Sequence, residues 1–173
     1  MKLALALEIA ERAKGRLFPY CHRIEIAGSI RREVPEPRDI ELVCIPKGSE
    51  LMNFSMMVKK WPKVKGEPTG KYTQRVVDGM KLDLFICASL ATWAVNFTIR
   101  TGSADFSHGL AIWARKNGCY FKDAQLWSSD GGTHLVSGIE EEQDLFRFLG
   151  LKWVEPRDRI GSGAIQAERG ILK

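Results

Sequence analysis

Three acidic residues in two strand-like segments have the types and spacing of a divalent-metal site. Asp39 and Glu41 lie two apart in a segment that alternates charged and apolar residues as a strand does, so their side chains project from the same face. Asp83 stands between two leucines in a second alternating segment and adds a third carboxylate if the strands are neighbours. Converging carboxylates suit Mg²⁺, although an isolated Asp-x-Glu pair is more often the solvated face of a strand.

A Gly28-Ser29 turn upstream of the acidic pair directs this site toward phosphate chemistry. The turn follows a strand-like segment and precedes a short helical turn, so its backbone N–H groups and the Ser29 hydroxyl can hold phosphate oxygens. Arg31 and Arg32 add positive charge. Two metal ions can act on both the attacking and the leaving oxygen of a displacement at phosphorus. The combination favours a nucleoside triphosphate as substrate.

The elements that must position these residues alternate between strand and helix patterns. Apolar periodicity predicts helices over 3–17 and about 50–60. Strands are predicted at 23–27, 39–45, 63–65, 71–77 and 80–87, with Asp78-Gly79 as a two-residue hairpin turn. The pattern therefore predicts an α+β fold whose mixed sheet carries helices on one face.

The second half of the chain has the pattern of a small α/β subdomain. A helix capped by Thr92 is expected to run to about residue 100, and a second helix, capped by Ser103, over 105–116. Short strands follow at about 119–127, and another helix at about 140–149. We expect three parts: a catalytic subdomain over 1–90, a C-terminal subdomain over 91–160, and a flexible, Gly-rich tail over 161–173.

Composition and charge narrow the class of protein. Residues 1–90 contain 16 Lys/Arg against 11 Asp/Glu, whereas residues 91–173 contain 10 of each, so the net charge of +5 belongs to the first half. A basic half suits a polyanionic partner. No apolar run approaches the roughly 18–20 residues needed to cross a bilayer, so we expect no membrane partner.

The cysteines indicate a reducing, intracellular compartment. They are widely spaced and form no Cys-x-x-Cys pair, which argues against a zinc site and favours a hard cation held by oxygen. They are Cys21, Cys44, Cys87 and Cys119. We expect a cytoplasmic monomer, of a size compatible with a phage or viral source.

The motifs, taken in order, resemble those of family X DNA polymerases, the group that includes DNA polymerase beta. Three motifs resemble the palm of the nucleotidyltransferase superfamily. They are Gly28-Ser29-Ile-Arg31-Arg32, Asp39-Ile-Glu41 and Lys81-Leu-Asp83-Leu-Phe. Two further segments resemble the family's C-terminal subdomain. They are Thr101-Gly102-Ser103 and residues 141–159, which end in Glu155-Pro-Arg-Asp-Arg159. The match runs over about residues 3–159, so the resemblance implies a reduced form with palm and C-terminal subdomain only.

The resemblance also implies a role for each matched residue. Asp39 and Glu41 would bridge two divalent ions, Mg²⁺ or Mn²⁺, and Asp83 would bind the catalytic ion and help to deprotonate a primer 3′-hydroxyl. Gly28, Ser29 and Arg32 would hold the triphosphate of an incoming dNTP, and Thr101 and Gly102 would face its sugar. The expected DNA contacts are Lys81, toward the primer-terminal phosphate, and Arg75.

The sequence therefore predicts a DNA-directed DNA polymerase that acts on primer–template or gapped DNA, as in short-gap repair. Two alternatives stay open. Glu41 stands where these polymerases usually have Asp, and Ile99 and Arg100 stand where they tend to have aromatic residues. These departures favour a nucleotidyltransferase with another acceptor, such as a single-stranded end without template, an RNA or a small molecule. The second alternative is a DNA-end-binding module without turnover.

Overall fold

The computed structural model describes residues 1–129 and 132–168, and the chain divides into two compact units, Met1–Ala88 and Ser89–Lys173. Each unit encloses a hydrophobic core of its own. Helices and strands alternate in both, which confirms the α+β class. Within the described ranges, no helix is both long enough and apolar enough to span a membrane.

The first unit is built on a mixed sheet. Its strands are β1 (Cys21–Ile26), β2 (Asp39–Pro46), β3 (Lys63–Lys65), β4 (Tyr72–Val77) and β5 (Met80–Ile86). Within residues 1–88, all of which are described, they pair in the order β1-β2-β5-β4-β3. The β2–β5 pair is parallel and the other pairs are antiparallel. The predicted mixed sheet is therefore confirmed.

One face of this sheet is covered by helices. The helices of the unit are α1 (Leu3–Leu17), α2 (Gly28–Arg31) and α3 (Leu51–Lys59). The buried stripes of α1 and α3 share a core with Leu42 of β2 and Leu84 of β5, both fully buried. Because side chains alternate along a strand, residues 39, 41, 81 and 83 project from the opposite face.

The β4–β5 hairpin turns at Asp78-Gly79, as the sequence predicts. The two residues have φ values of 48° and 80°, the left-handed conformations of a two-residue turn that matches strand twist. Counting out from this turn, the register pairs Val77 with Met80 and Gln74 with Asp83.

The second unit contains a smaller sheet and further helices. The elements are α4 (Leu90–Thr101), α5 (Ala104–Lys116), β6 (Cys119–Lys122), β7 (Gln125–Ser128), β8 (His134–Leu135) and α6 (Glu142–Phe148). The three strands found among the described residues form an antiparallel sheet in the order β6-β7-β8. Ser103 caps α5 as predicted, since its hydroxyl accepts the Phe106 N–H.

The start of α4 differs from the sequence expectation. Ser89 rather than Thr92 caps the helix: the Ser89 hydroxyl accepts the Thr92 N–H, and the Thr92 hydroxyl oxygen accepts the Ser89 N–H. This reciprocal pair is a capping box, in which both polar residues belong to the helix start. The first of the two is therefore the cap.

A buried arginine joins the Glu155–Arg159 segment to α6. Arg159 is fully buried and donates hydrogen bonds to the Glu142 carboxylate at 2.5 Å and to the Val154 carbonyl at 3.0 Å. Its guanidinium carbon lies 5.1 Å from the ring centre of Phe146 and 4.8 Å from that of Trp153. A buried charge needs such compensation, because leaving it unpaired is costly.

The segment after Ile160 is packed where the sequence predicts a flexible tail. The Ser162 N–H donates to the Asp105 carboxylate at 3.0 Å, and Ile165 packs against the core of the second unit. The Lys152 N–H donates to the Gln166 carbonyl at 2.9 Å. Residues 161–168 therefore make specific packing contacts, the expected flexibility stays a prediction, and residues 169–173 of the expected tail lie outside the described part.

The β6–β7 turn carries a strained residue that offers a test of the fold. Asp123 and Ala124 have φ values of 51° and 57°, and Ala124 has a β-carbon that disfavours this conformation by about 1 kcal/mol. Ala124→Gly should raise the free energy of unfolding in urea denaturation by up to about 1 kcal/mol, because relief of the left-handed penalty exceeds the entropy that glycine loses on folding. Gly79→Ala, the matched change in the other two-residue turn, should lower it. A less stable Ala124→Gly variant would contradict this turn geometry.

Candidate active site

The three predicted carboxylates lie on one face of two neighbouring strands. In the parallel register of β2 and β5, Glu41 pairs with Asp83 and Asp39 pairs with Lys81. Paired residues of a sheet point to the same side, and adjacent strands are only about 4.8 Å apart. The fold therefore brings the carboxylates and one lysine together on the face opposite the helices.

Lys81 is the counter-ion of two of these carboxylates. Its Nζ lies 3.1 Å from Oδ2 of Asp39 and 3.8 Å from Oδ2 of Asp83. The hydrogen bond to Asp39, with the nearby negative charges, raises the pKa of Lys81. Its side chain is 44% exposed, so solvent screens these attractions. Its predicted contact with a primer phosphate stays a prediction.

Glu41 lies directly against the glycine turn. Gly28 has a φ of 64°, and a β-carbon placed on it would come within 1.9 Å of Oε2 of Glu41. The backbone of the turn is tied to β2 by the Ala27 N–H, which donates to the Glu41 carbonyl at 2.8 Å. Glycine is therefore favoured at position 28 by the positive φ, and a β-carbon there would also force the Glu41 carboxylate to move.

Arg32 and Ser29 place a guanidinium and a hydroxyl at the glycine turn, and their predicted role in binding phosphate stays a prediction. Burial lowers the pKa of the Arg32 guanidinium, while the charges of Glu41 and Asp39 oppose that shift. Arginine stays protonated in proteins, so a cation faces the carboxylates. The Ser29 hydroxyl oxygen is buried and, among the described residues, has no hydrogen-bond partner. Such an unmade bond costs about 1–3 kcal/mol, and a ligand oxygen could satisfy it.

Asp83 is held by two residues that sequence reasoning missed. Its Oδ1 accepts a hydrogen bond from the Tyr72 hydroxyl at 2.6 Å and from the Gln74 amide at 2.5 Å. Both donors lie on β4, and Gln74 is the register partner of Asp83. The signal was present in the sequence, because Asp83 lies four residues after the Asp78-Gly79 turn and counting four residues back from it reaches Gln74.

The carboxylates are of the type that binds a hard divalent cation, and their strands place them on one face of the sheet. Three carboxylates are the ligands that Mg²⁺ prefers, and the buried Ser29 hydroxyl is suited to a phosphate oxygen. As the side chains stand, no three His, Cys, Asp or Glu residues in the described ranges converge closely enough to hold a metal. Lys81 lies between Asp39 and Asp83 instead. Metal binding thus requires side-chain rotation on strands that already have the necessary register.

Thr101 and Gly102 form the turn between two helices of the second unit. Thr101 is the buried last residue of α4, and the Gly102 N–H donates to the Thr98 carbonyl at 3.1 Å. A β-carbon on Gly102 would come within 2.4 Å of the Phe106 ring. Close packing against α5 therefore accounts for this glycine, and the predicted contact with a nucleotide sugar stays a prediction.

Arg75 is buried and does not lie where a contact with a DNA phosphate at the surface would need it. Its register partner is Leu82, so its side chain points to the helix-covered face, opposite to Gln74. The residue is 2% exposed, and its guanidinium donates to the Gly66 carbonyl at 3.3 Å. Strand alternation thus corrects the expectation that Arg75 contacts DNA from the surface.

Comparison with known proteins links the second unit to polymerases. Residues 97–160 match the family model described as DNA polymerase beta thumb. The match includes α5, the small sheet, α6 and the segment that ends at Arg159, and it supports a relationship to family X polymerases through this domain. The carboxylate face of the first unit lies outside the matched residues. A search of curated protein sequences found no match.

The approach of Glu41 to the glycine turn leads to a stability test. Gly28→Ala should lower the free energy of unfolding by about 1–3 kcal/mol, because the new methyl group clashes with the carboxylate and φ is unfavourable. Gly15→Ala in α1 is the control, since its β-carbon would meet no described atom within 4 Å. It should stabilise by about 0.5–1 kcal/mol. Equal urea midpoints for the two variants would contradict the Gly28–Glu41 contact.

Proposed function

We propose that this chain transfers deoxynucleoside monophosphates from dNTPs to the 3′-hydroxyl of a DNA primer under the direction of a template, as in the filling of short gaps. The observation that carries the proposal is the parallel pairing of β2 and β5. This pairing sets Asp39, Glu41 and Asp83 on one face of the sheet, and the glycine turn packs against Glu41.

The reaction joins the primer oxygen to the α-phosphorus and breaks the bond to the bridging oxygen, so that pyrophosphate leaves. Two divalent ions, Mg²⁺ or Mn²⁺, held by Asp39, Glu41 and Asp83 would stabilise the charge that develops on the oxygens around phosphorus. Asp83 assists the removal of the proton from the 3′-hydroxyl. Phosphoryl-transfer enzymes rely chiefly on such positioning and charge neutralisation.

The glycine turn binds the triphosphate in this proposal. The Ser29 hydroxyl, which has no partner among the described residues, donates to a phosphate oxygen. Arg32 neutralises the β- and γ-phosphates, and Gly28 allows the backbone to approach them closely. Lys81 exchanges its carboxylate partners for the primer-terminal phosphate once the carboxylates have other cations to bind.

DNA as the acceptor is supported by the similarity of residues 97–160 to the thumb of DNA polymerase beta. The basic first half agrees with this choice, because phosphate contacts supply much of the affinity for DNA. Exposed lysines at and near β3 add to the positive charge of this half. They are Lys59, Lys60, Lys63, Lys65 and Lys71.

A nucleotidyltransferase with another acceptor is the second candidate, and Glu41 is the observation that favours it. The side chain carries its carboxylate against the glycine turn, and an aspartate, shorter by one methylene, would hold its carboxylate nearer to the backbone of β2. The geometry around the acceptor would then differ from that of a site with two aspartates on this strand.

A gapped primer–template incubated with Mg²⁺ or Mn²⁺ and one dNTP at a time tests the proposal. We expect extension only by the dNTP complementary to the template. Asp83→Asn should reduce extension to the background of the assay while DNA binding, followed by fluorescence anisotropy, stays unchanged, because one charge of the site is lost without a change of shape. The absence of extension on every primer would exclude the polymerase. Untemplated addition, or equal use of ribonucleotides, would favour the second candidate.

A further inference from the structure

Two polar side chains of β4 hold one oxygen of Asp83 in place. The Tyr72 hydroxyl and the Gln74 amide both donate to Oδ1, at 2.6 Å and 2.5 Å. The Gln74 amide also donates to the Tyr72 oxygen at 3.0 Å. The three side chains therefore form a closed triangle in which each donor has an acceptor.

The donors of this triangle are themselves restrained. The ring of Tyr72 packs against Phe85, with centroids 5.1 Å apart, and the Lys65 ammonium lies 5.0 Å from the Tyr72 centroid. Gln74 is 8% exposed. Packing of this kind restricts the rotamers of both side chains, so the hydrogen bonds act as a support for Asp83.

The triangle leaves the other oxygen of Asp83 directed toward the charged groups of the site. Oδ2 lies 3.8 Å from Lys81 Nζ, which in turn lies 3.1 Å from Asp39. The Asp83 side chain is only 13% exposed, so few other orientations would keep its charge near a partner. Neutral donors on Oδ1 also fix the carboxylate without placing a competing cation there.

We propose that Tyr72 and Gln74 are positioning residues, which hold Oδ1 of Asp83 so that Oδ2 is the oxygen presented to the cation and to the primer hydroxyl. This inference rests on the proposed nucleotidyl transfer. Removal of partners that orient a metal ligand typically costs about 10–100-fold in metal affinity or activity. The dNTP phosphates are assigned to Ser29 and Arg32, so the loss should fall on kcat rather than on the KM for dNTP.

Tyr72→Phe and Gln74→Met each remove one donor and keep most of the side-chain volume. Each should lower kcat about tenfold and leave the KM for dNTP within about twofold. Mn²⁺ affinity of the protein alone, measured by electron paramagnetic resonance without DNA or nucleotide, should weaken by about tenfold. Thermal unfolding of each variant verifies that it is folded, and either variant alone suffices for the test.

Thr73→Val is the matched control on the same strand. Thr73 is fully buried and points to the opposite face, where its hydroxyl donates to the carbonyls of Lys65 and Gly66 at 3.1 Å and 3.3 Å. The change removes buried hydrogen bonds from β4 without touching Asp83. We expect a lower melting temperature, with kcat and Mn²⁺ affinity within about twofold of the wild type.

The outcomes separate this inference from the function on which it rests. An active wild type whose Tyr72→Phe and Gln74→Met variants keep kcat and Mn²⁺ affinity would overturn the inference alone. Equal losses of kcat and of Mn²⁺ affinity in these variants and in Thr73→Val would also overturn it, because the losses would then come from destabilisation of β4. A wild type that binds Mn²⁺ but transfers no nucleotide would refute the function, and the Mn²⁺ titrations would then decide the positioning role. If the wild type neither binds Mn²⁺ nor transfers a nucleotide, both proposals fail.

Discussion

The parallel pairing of β2 with β5 is the constraint on which the site depends. Side chains alternate between the faces of both strands, so the register that buries Leu42 and Leu84 under α1 and α3 also sets Glu41 beside Asp83. A slip of one residue would expose the leucines and bury carboxylates in an apolar core. The hydrophobic effect, which acts on one face, therefore determines the arrangement of charges on the other.

Electrostatic repulsion is the cost of this arrangement, and two cations of the chain offset it. Lys81 reaches two of the carboxylates, and Arg32 faces Glu41 from the glycine turn. Asp83 has additional neutral support from β4. Because solvent screens the exposed ammonium of Lys81, the carboxylates retain attraction for a divalent ion, while the donors of β4 keep Oδ1 of Asp83 in place.

Local patterns were sufficient to predict the parts of the site that depend on one strand or one turn. Alternation in β2 and the Asp78-Gly79 turn are examples, because strand period and left-handed turn residues are local properties. The β4 residues were harder to assign. Arg75 resembled a surface cation, and only its register opposite Leu82 shows that it points to the core. Packing after Ile160 likewise depends on α5, which no local pattern in a Gly-rich segment reveals.

Diffraction from crystals soaked with Mn²⁺ and a non-hydrolysable dNTP tests the central claim, that Asp39, Glu41 and Asp83 form one divalent-cation site. The account predicts anomalous peaks bound by these three carboxylates, with the Lys81 ammonium displaced from the 3.1 Å contact with Asp39 that it makes here. Anomalous peaks only at other residues, or none with Lys81 still paired to Asp39, would contradict it.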